Sequence, residues 1–561
     1  MNYNEKYEKW VSKEDLDPSL KAELLSMDET AKEDAFYTDV EFGTAGMRGI
    51  LGAGTNRLNI YVIQKANVGF AKYIASLPEG KERGVAIGYD NRHMSYKFAI
   101  ESAKVLATYG IKSYIFESLR PTPELSFAVR YLKCAGGIMI TASHNPKEHN
   151  GYKVYDDTGC QLLPEAADQV VKYVNEVEDE LNIKVFTEEE AYPYMTWIGE
   201  EVDEAYYKEV MAIEVNPGMD KKDFKIVFSP QHGTANIPVR TCLTRLGYDI
   251  VPVLAQCAPD PDFSNTKSPN PEVDSSYELA IKKAKEVDAD VVVITDPDGD
   301  RLGVVAKHNG EYVLMSGNQS AAVYLEYILS QMKEKGTLPS NAVMYNTIVT
   351  SDLGELVARS YGVDVEKTLT GFKFIGDKIR KYEQTQEKTF VFGYEESYGC
   401  VIKDFVRDKD AVQAVLTAAE AGNYYKKQGK DLVDVLNELY AKHGTFKETQ
   451  IALSKAGAAG AARIKEIMDN LRKDAPQEIG GVKVVKVEDY GNSTCSDGTT
   501  IQLPKSNVLK YYLEDGSWIA ARPSGTEPKC KFYFSIKGND TKDAEDKTAI
   551  FHKSMMEIIG E

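Results

Sequence analysis

Cysteine, positive charge and long apolar runs are all in short supply in this chain, and each shortage excludes a class of protein. The seven cysteines (Cys134, Cys160, Cys242, Cys257, Cys400, Cys495 and Cys530) are odd in number and scattered. They offer neither a paired disulfide framework nor the close spacing of a zinc site, which fits a reducing cytoplasm. Acidic residues outnumber basic ones, 86 to 67, for a formal net charge of −19. A nucleic-acid-binding face calls for the opposite balance, so no nucleic-acid partner is expected. A phosphorylated small molecule is not excluded, because it needs only a local cluster of lysines and arginines. No apolar run is long enough to span a bilayer, and Met1-Asn2-Tyr3-Asn4-Glu5-Lys6 lacks the apolar core of a secretion signal. Neither a membrane nor an obligate protein partner is expected.

What the chain does have is length and order. Its 561 residues exceed one ordinary core, and 43% hydrophobic with 27% charged residues is a globular composition. The first three quarters read as three degenerate copies of one α/β unit. Each opens with a strand-like run: Val85–Asp90, Lys225–Pro230 and Ala342–Thr347. A helical stretch follows and stops on a glycine, Gly110, Gly247 or Gly362, as helix ends often do. A second strand comes next. A third ends on the most chemical residues of its copy: Ile140-Thr141-Ala142-Ser143, Ile294-Thr295-Asp296 and Phe392-Gly393-Tyr394-Glu395. Loops at the carboxyl ends of strands are where open α/β sheets bind ligands. After Gly444 the pattern changes to a helix over 456–471, then strands, then a final helix over 543–559. A hairpin is expected at Asn507–Ala521 around Asp515-Gly516. This tail reads as a small α+β domain.

Four loops carry chemistry. Thr141-Ala142-Ser143-His144-Asn145-Pro146 holds a hydroxyl at a sheet edge beside a histidine, with Asn-Pro turning the chain. Asp296-Pro297-Asp298-Gly299-Asp300-Arg301 sets three carboxylates at alternate positions after a buried-looking strand, an oxygen-rich pocket for a hard cation such as Mg²⁺. An EF-hand is excluded, since it requires glycine and glutamate where Arg301 and Lys307 stand. A phosphatase of the haloacid dehalogenase type remains a rival, with Asp296 as nucleophile and Asp298 as acid/base. Gly393-Tyr394-Glu395-Glu396-Ser397-Tyr398-Gly399 offers a carboxylate and a hydroxyl suited to vicinal sugar hydroxyls. Arg522-Pro523-Ser524-Gly525-Thr526-Glu527-Pro528-Lys529 has the cations, hydroxyls and glycine of a phosphate nest. Its alternative is a helix-capping box of Ser524 and Glu527, which Pro528 and the strand-like Lys531–Ile536 oppose.

In that order, these loops resemble the α-D-phosphohexomutase superfamily over essentially the whole chain. Phe42–Gly49, Tyr89-Asp90-Asn91-Arg92-His93 and Thr370-Gly371-Phe372-Lys373 point to its phosphoglucomutase/phosphopentomutase branch. The resemblance implies three related α/β domains with mixed sheets and a C-terminal α+β domain around a central active-site cleft. The expected limits are 1–200 with the phosphoserine loop, 201–318 with the metal loop, 319–443 with the sugar loop and 444–561 with the phosphate loop. It implies interconversion of α-D-glucose 1-phosphate and glucose 6-phosphate through a phosphoserine and a glucose 1,6-bisphosphate. Mannose and pentose phosphates stand as alternative substrates, and a phosphatase or an inactive sugar-phosphate-binding homologue as more distant readings. By the same resemblance Ser143 carries the phosphoryl group and shares Mg²⁺ with Asp296, Asp298 and Asp300. Lys153, Arg48 and Lys409 are candidates for proton transfer, and His144 shapes the serine loop. Glu395, Ser397, Thr370, Gly371, Lys373 and Arg301 would hold the sugar, while Arg522, Ser524, Gly525, Thr526 and Lys529 would hold the second phosphate. One departure from the phosphomannomutase/phosphoglucomutase pattern is Gly399, where that branch has histidine; Lys409 is the residue expected to replace it. Lys409 is followed by Ala411 where glycine is usual.

Overall fold

The structure, a computed structural model, describes residues 1–43, 46–455, 457–524 and 529–561. Gly525 and Thr526, expected in the phosphate loop, lie outside the described residues, as does Ala456 at the expected helix start. Two compact bodies divide the chain. One comprises Met1–Met315, Phe372–Phe392 and Ser397–Gln428; the other comprises Ser316–Gly371, Gly393–Glu396 and Gly429–Glu561.

The first body holds two mixed sheets. In the first, β1 (Gly46–Ile50), β2 (Val85–Tyr89), β3 (Ser113–Phe116), β4 (Gly136–Ile140), β5 (His149–Tyr155) and β6 (Met195–Ile198) take the order β1-β5-β4-β2-β3-β6. Strands β2, β3, β4 and β6 run parallel, and β5 is antiparallel to both β4 and β1. The second is β11-β10-β9-β7-β8, built from β7 (Lys225–Ser229), β8 (Asp249–Pro252), β9 (Val291–Thr295), β10 (Leu302–His308) and β11 (Glu311–Met315). Here β7, β8 and β9 are parallel, β10 is antiparallel to β9, and β11 is antiparallel to β10. Every residue of β2, β4 and β9 is buried, as expected of parallel strands covered by helices on both faces. In the first domain Phe70 and Ile74 of the helix Ile60–Ser76, Phe98 and Leu106 of Ser95–Thr108, and Val170 of Pro164–Asn175 close over Ile87, Ile138 and Ile140.

Three short helices precede this sheet: Tyr3–Val11, Pro18–Ser26 and Glu29–Phe36. Each begins on a side-chain cap, from Asn2, Asp17 and Asp28 respectively. They form a separate small core of Tyr7, Trp10, Leu24 and Phe36 with Tyr61. The three-copy pattern gives no hint of this helical preface, because it belongs to none of the copies.

The second body carries the parallel pair β12 (Ala342–Thr347) and β13 (Asp364–Thr368). The division between the bodies runs through β14 (Thr389–Glu395), and β15 (Gly399–Val401) belongs to the first. The helix-ending glycines behave alike in all three copies. Gly110, Gly247 and Gly362 have φ of 72°, 87° and 79°, a region that disfavours other residues. Each donates its N–H to the carbonyl three residues back, and the following residue donates to the one five back.

The C-terminal domain is an antiparallel sheet of seven strands: β16 (Thr445–Ser454), β17 (Glu478–Ile479), β18 (Val482–Asp489), β19 (Thr494–Cys495), β20 (Leu509–Leu513), β21 (Trp518–Pro523) and β22 (Lys529–Gly538). The order is β16-β22-β21-β20-β18-β17, with β19 on β18. Helices Gly457–Lys473 and Thr541–Ile559 bring Ile467, Met468, Phe551 and Met555 onto Ile519, Phe532 and Phe534. The hairpin around Asp515-Gly516 is present, with Tyr512 opposite Trp518. The expected order of the tail needs correction at its start. A strand, β16, comes before the first helix and pairs with β22 from Thr445↔Gly538 to Ser454↔Lys529.

Candidate active site

The serine loop leaves β4 in a conformation that side chains rarely adopt. Ser143 has φ of 52°, and its N–H is held by Thr141 Oγ1 at 2.8 Å. The side chain is buried, and its hydroxyl donates to Asp296 Oδ2 at 2.8 Å. His144 Nδ1 lies 3.1 Å from the same oxygen. A protonated Nδ1 on His144 is the tautomer consistent with the hydroxyl donating to Asp296. Burial, then the Arg301 and Arg48 charges, holds the His144 imidazole well below its usual range, so it stays neutral. Arg48, on β1, donates from Nη1 to Asn145 Oδ1 at 3.2 Å.

The aspartate loop leaves β9 directly opposite. Asp296 Oδ1 accepts the N–H groups of Asp300 and Arg301 at 3.1 and 3.0 Å, which fixes the turn and frees Oδ2 for the serine. The loop is braced from two sides. Thr234 gives its N–H and hydroxyl to the Pro297 carbonyl, and Gly233 lies so close that a Cβ there would come within 2.4 Å of Pro297 Cα. From the first domain, Thr122 donates its N–H to the Asp298 carbonyl at 2.8 Å and its hydroxyl to Asp298 Oδ2 at 3.0 Å.

One oxygen from each of Asp296, Asp298 and Asp300 falls within 4.8 Å of the others. Asp298 Oδ1 and Asp300 Oδ1 are buried with no hydrogen-bond partner. Buried carboxylate oxygens without donors are costly unless a cation takes them. An all-oxygen set of this kind fits a hard cation such as Mg²⁺. Burial, then Asp298 and Asp300, pushes the Asp296 carboxyl well above the ordinary range. Burial also opposes ionisation of Asp298, yet Lys153 outweighs it and keeps that carboxyl low.

Two lysines flank the carboxylates. Lys153 on β5 reaches Asp298 Oδ2 at 2.8 Å and Asp300 Oδ2 at 3.9 Å. Burial disfavours its ammonium, but the two aspartates prevail and raise it above its usual value. Lys409 reaches Asp300 Oδ2 at 3.1 Å and Asp408 Oδ1 at 3.2 Å. Its stem fills the space over Gly399, where a Cβ would stand 2.0 Å from Lys409 Cδ. A side chain at 399 and this placement of Lys409 exclude each other. Arg301 pairs with Glu272. Lys373 is buried near the start of the helix Phe372–Thr385, and burial pushes its ammonium down to about 8. Ser397 lies in the turn between β14 and β15.

Within the second body, Glu395 ends β14, is buried, and accepts the N–H of Gly371 at 2.8 Å. Gly371 has φ of 118°, and the neighbouring Thr370 Oγ1 is buried without a partner. Arg522 sits on β21 with Nη1 3.4 Å from the Tyr533 hydroxyl. Ser524 N–H donates to the Lys529 carbonyl at 2.7 Å, which closes the base of a hairpin loop. Strand β22 begins at Lys529, in line with the strand-like Lys531–Ile536, and Glu527 of the capping-box alternative lies outside the described residues.

Of the residues of the first body that the sequence singles out, Ser143, His144, Lys153, the three aspartates, Arg48, Arg301 and Lys409 are thus brought together. Thr122 was not foreseen, and Arg92 stands in the sequence only as part of a branch motif, with no role assigned. Thr122 follows Pro121 at a helix start, and Arg92 lies in the polar turn after β2. Both positions carry a residue signal, but their partners are main-chain atoms or lie far away in sequence.

A serine presented to a carboxylate cation pocket, at facing strand ends of repeated α/β domains, defines an enzyme of phosphoryl transfer. The phosphoglucomutase/phosphomannomutase models match in order: α/β/α domain I over residues 39–181, domain II over 204–310, domain III over 316–443 and the C-terminal domain over 462–549. A phosphoglucomutase from Staphylococcus haemolyticus is 38% identical over 529 residues, 93% of this chain and 94% of that protein. The pp63/parafusin (phosphoglucomutase) structure from Paramecium shares the fold with a TM-score of 0.67 at 19% identity, covering 93% of this chain and 96% of that one. An N-acetylphosphoglucosamine mutase from Aspergillus fumigatus, solved with GlcNAc-6P and magnesium, aligns with a TM-score of 0.52 at 15% identity over 93% and 96% of the two chains. The chain belongs to the phosphoglucomutase/phosphomannomutase family of the α-D-phosphohexomutase superfamily. No helix among the described residues is long and apolar enough to cross a membrane.

Proposed function

We propose that this protein is a phosphoglucomutase, an intramolecular phosphotransferase that interconverts α-D-glucose 1-phosphate and glucose 6-phosphate. The observation that carries the reading is the Ser143 hydroxyl 2.8 Å from Asp296, beside two buried carboxylate oxygens that accept no hydrogen bond. The strong likeness to a phosphoglucomutase along nearly the whole chain supports glucose as the sugar. The fit of Lys409 over Gly399 supports the lysine-using branch over the histidine-using one.

Asp296, Asp298 and Asp300 would hold Mg²⁺ together with an oxygen on Ser143. When bound, the ion would neutralise the charge shared by those carboxylates and the phosphoryl group. Phosphorylated Ser143 gives its phosphoryl group to the 6-hydroxyl of glucose 1-phosphate. The P–Oγ bond breaks, a P–O6 bond forms, and the hydroxyl proton passes to the groups around the serine. The glucose 1,6-bisphosphate then presents its other phosphate, and the reverse transfer restores phosphoserine and leaves glucose 6-phosphate. Lys153 and Lys409 act as fixed cations beside the reacting group, and His144 steadies the serine oxygen. Positioning and charge account for most of the rate in such transfers. Glu395, Ser397, Thr370, Gly371, Lys373 and Arg301 are the candidates for binding the sugar. Arg522, Ser524, Gly525, Thr526 and Lys529 take the phosphate that is not reacting.

The phosphatase alternative fares worse. It requires Asp296 as a free nucleophile, but both of its oxygens are engaged. It also requires a protonated Asp298, which Lys153 keeps ionised. A coupled assay for glucose 6-phosphate, run beside a free-phosphate assay, separates them. Mutase activity predicts the sugar product without phosphate release; release dependent on Asp296 would favour the alternative. Parallel rates on mannose and ribose 1-phosphates test the choice of sugar.

A further inference from the structure

Ser143 sits in an unfavourable backbone conformation, and a non-glycine residue keeps φ near 52° only where its surroundings over-determine it. Nothing in the short loop after β4 does so alone. Between Ser143 and His149 the Glu148 carbonyl accepts the Leu51 N–H and the Pro146 carbonyl the His149 N–H, but the stretch from Ser143 to Lys147 lies outside the ladders. One buried side chain meets the loop's carbonyls. Arg92 is 3% exposed, and its Nη2 donates to the carbonyls of Ser143 and Asn145 at 2.5 Å each. Its Nη1 donates to those of Pro146 and His149 at 2.9 and 3.1 Å. Four carbonyls of one loop therefore close on one guanidinium.

The guanidinium is itself fixed. Its Nε faces Asp90 Oδ2 at 3.4 Å, and Asp90 Oδ1 accepts the Arg92 N–H at 2.9 Å and the Ser95 hydroxyl at 2.7 Å. Asp90 N–H bonds the Ile140 carbonyl, the last residue of β4. From the second domain the Phe263 ring covers the guanidinium at 5.1 Å, while Asn91 donates to the Asp260 carbonyl at 2.9 Å. A lysine offers three donors on one atom and cannot span four acceptors at these positions.

We propose that Arg92 is a positioning residue for the phosphoryl-transfer step, holding the loop in the backbone conformation that aims Ser143 Oγ at Asp296. Phe263 seals this clamp from the second domain, so the aim of the serine depends on that domain as well as its own. The proposal rests on Ser143 being the phosphoryl carrier.

Full-length wild type, Arg92→Lys and Phe263→Leu would be dephosphorylated and mixed with glucose 1,6-bisphosphate and Mg²⁺. Phosphorylation of Ser143 is followed in time by mass spectrometry, alongside kcat, KM and the thermal transition. Arg92→Lys is expected to slow Ser143 phosphorylation and kcat by about 100-fold with KM within about threefold, the cost of misplacing a reacting atom. Phe263→Leu is expected to slow both by about fivefold, the loss of one ring–cation contact. Wild-type rates in a folded Arg92→Lys would overturn the clamp. If that variant does not fold, Phe263→Leu decides, and an unchanged phosphorylation rate there would overturn it. Failure of wild type to phosphorylate Ser143 would instead defeat the carrier reading itself.

Discussion

At the scale of single residues, function rests on which charges survive burial. Lys153 and Asp298 hold each other ionised across 2.8 Å, which places a cation beside the aspartate loop. Lys153→Met is expected to lower kcat by 100-fold or more, about 3 kcal/mol of transition-state stabilisation, and the loss of the cation on buried Asp298 should also lower the thermal transition. Gly399→Ala tests Lys409 without replacing it. The added methyl would meet the lysine stem at 2.0 Å and push its ammonium from Asp300, and a fall in kcat of about tenfold is expected. Unchanged kinetics would show that Lys409 stands clear of the reaction. Lys373 has its ammonium lowered to about 8 by burial. In its proposed sugar-holding role the charged form is the stronger donor to hydroxyls, so substrate binding should weaken as pH rises through that value. The kcat/KM profile should therefore fall above about pH 8, and Lys373→Arg should flatten that limb.

At the scale of elements, the helix Thr122–Tyr131 links the first domain to the aspartate loop, and its first turn holds two contrasting groups. Thr122 donates to Asp298. Thr122→Val keeps the shape and removes the hydroxyl, and Mg²⁺ affinity measured by calorimetry is expected to drop about tenfold, as for the loss of a ligand's supporting bond. Glu124, two residues on, is fully buried, and burial followed by Asp203 pushes its carboxyl well above the ordinary range. A raised folded-state value favours the folded state fully below the unfolded value near 4.5, and the benefit is lost as pH rises through the folded one. Glu124→Gln, which mimics the neutral carboxyl, should melt at or above wild type at pH 8 and lose that advantage towards pH 5. A variant that melts lower at both pH values would contradict this. The strand ends were legible because β4 and β9 are continuous apolar runs that stop abruptly on polar residues. Strand β16 was not. Only its first two residues are buried, and the rest alternates between half-buried and exposed, which leaves little apolar contrast to read after Gly444.

At the scale of the molecule, three copies of one plan bring a serine and an aspartate loop from separate domains to within hydrogen-bonding distance. The chemistry of each loop could be read from its side chains, and the repeat of strand, helix and terminal glycine gave their order. Their mutual geometry could not be read. The contact between Thr122 and Asp298 joins residues 176 apart. The Arg92 contacts end on backbone carbonyls, which every residue carries and no letter of the sequence marks. The three N-terminal helices were likewise hidden, since their small core of Trp10, Phe36 and Tyr61 repeats nowhere else in the plan.

The central claim is that Ser143 carries the phosphoryl group between substrate positions. Its most direct test is peptide mass spectrometry of the dephosphorylated enzyme after incubation with glucose 1,6-bisphosphate and Mg²⁺, with Ser143→Ala assayed in parallel for mutase turnover. One phosphoryl group should appear on Ser143 and nowhere else, and the alanine variant should convert no glucose 1-phosphate above background. An unmodified Ser143 in an enzyme that still turns over, or undiminished turnover in Ser143→Ala, would contradict it.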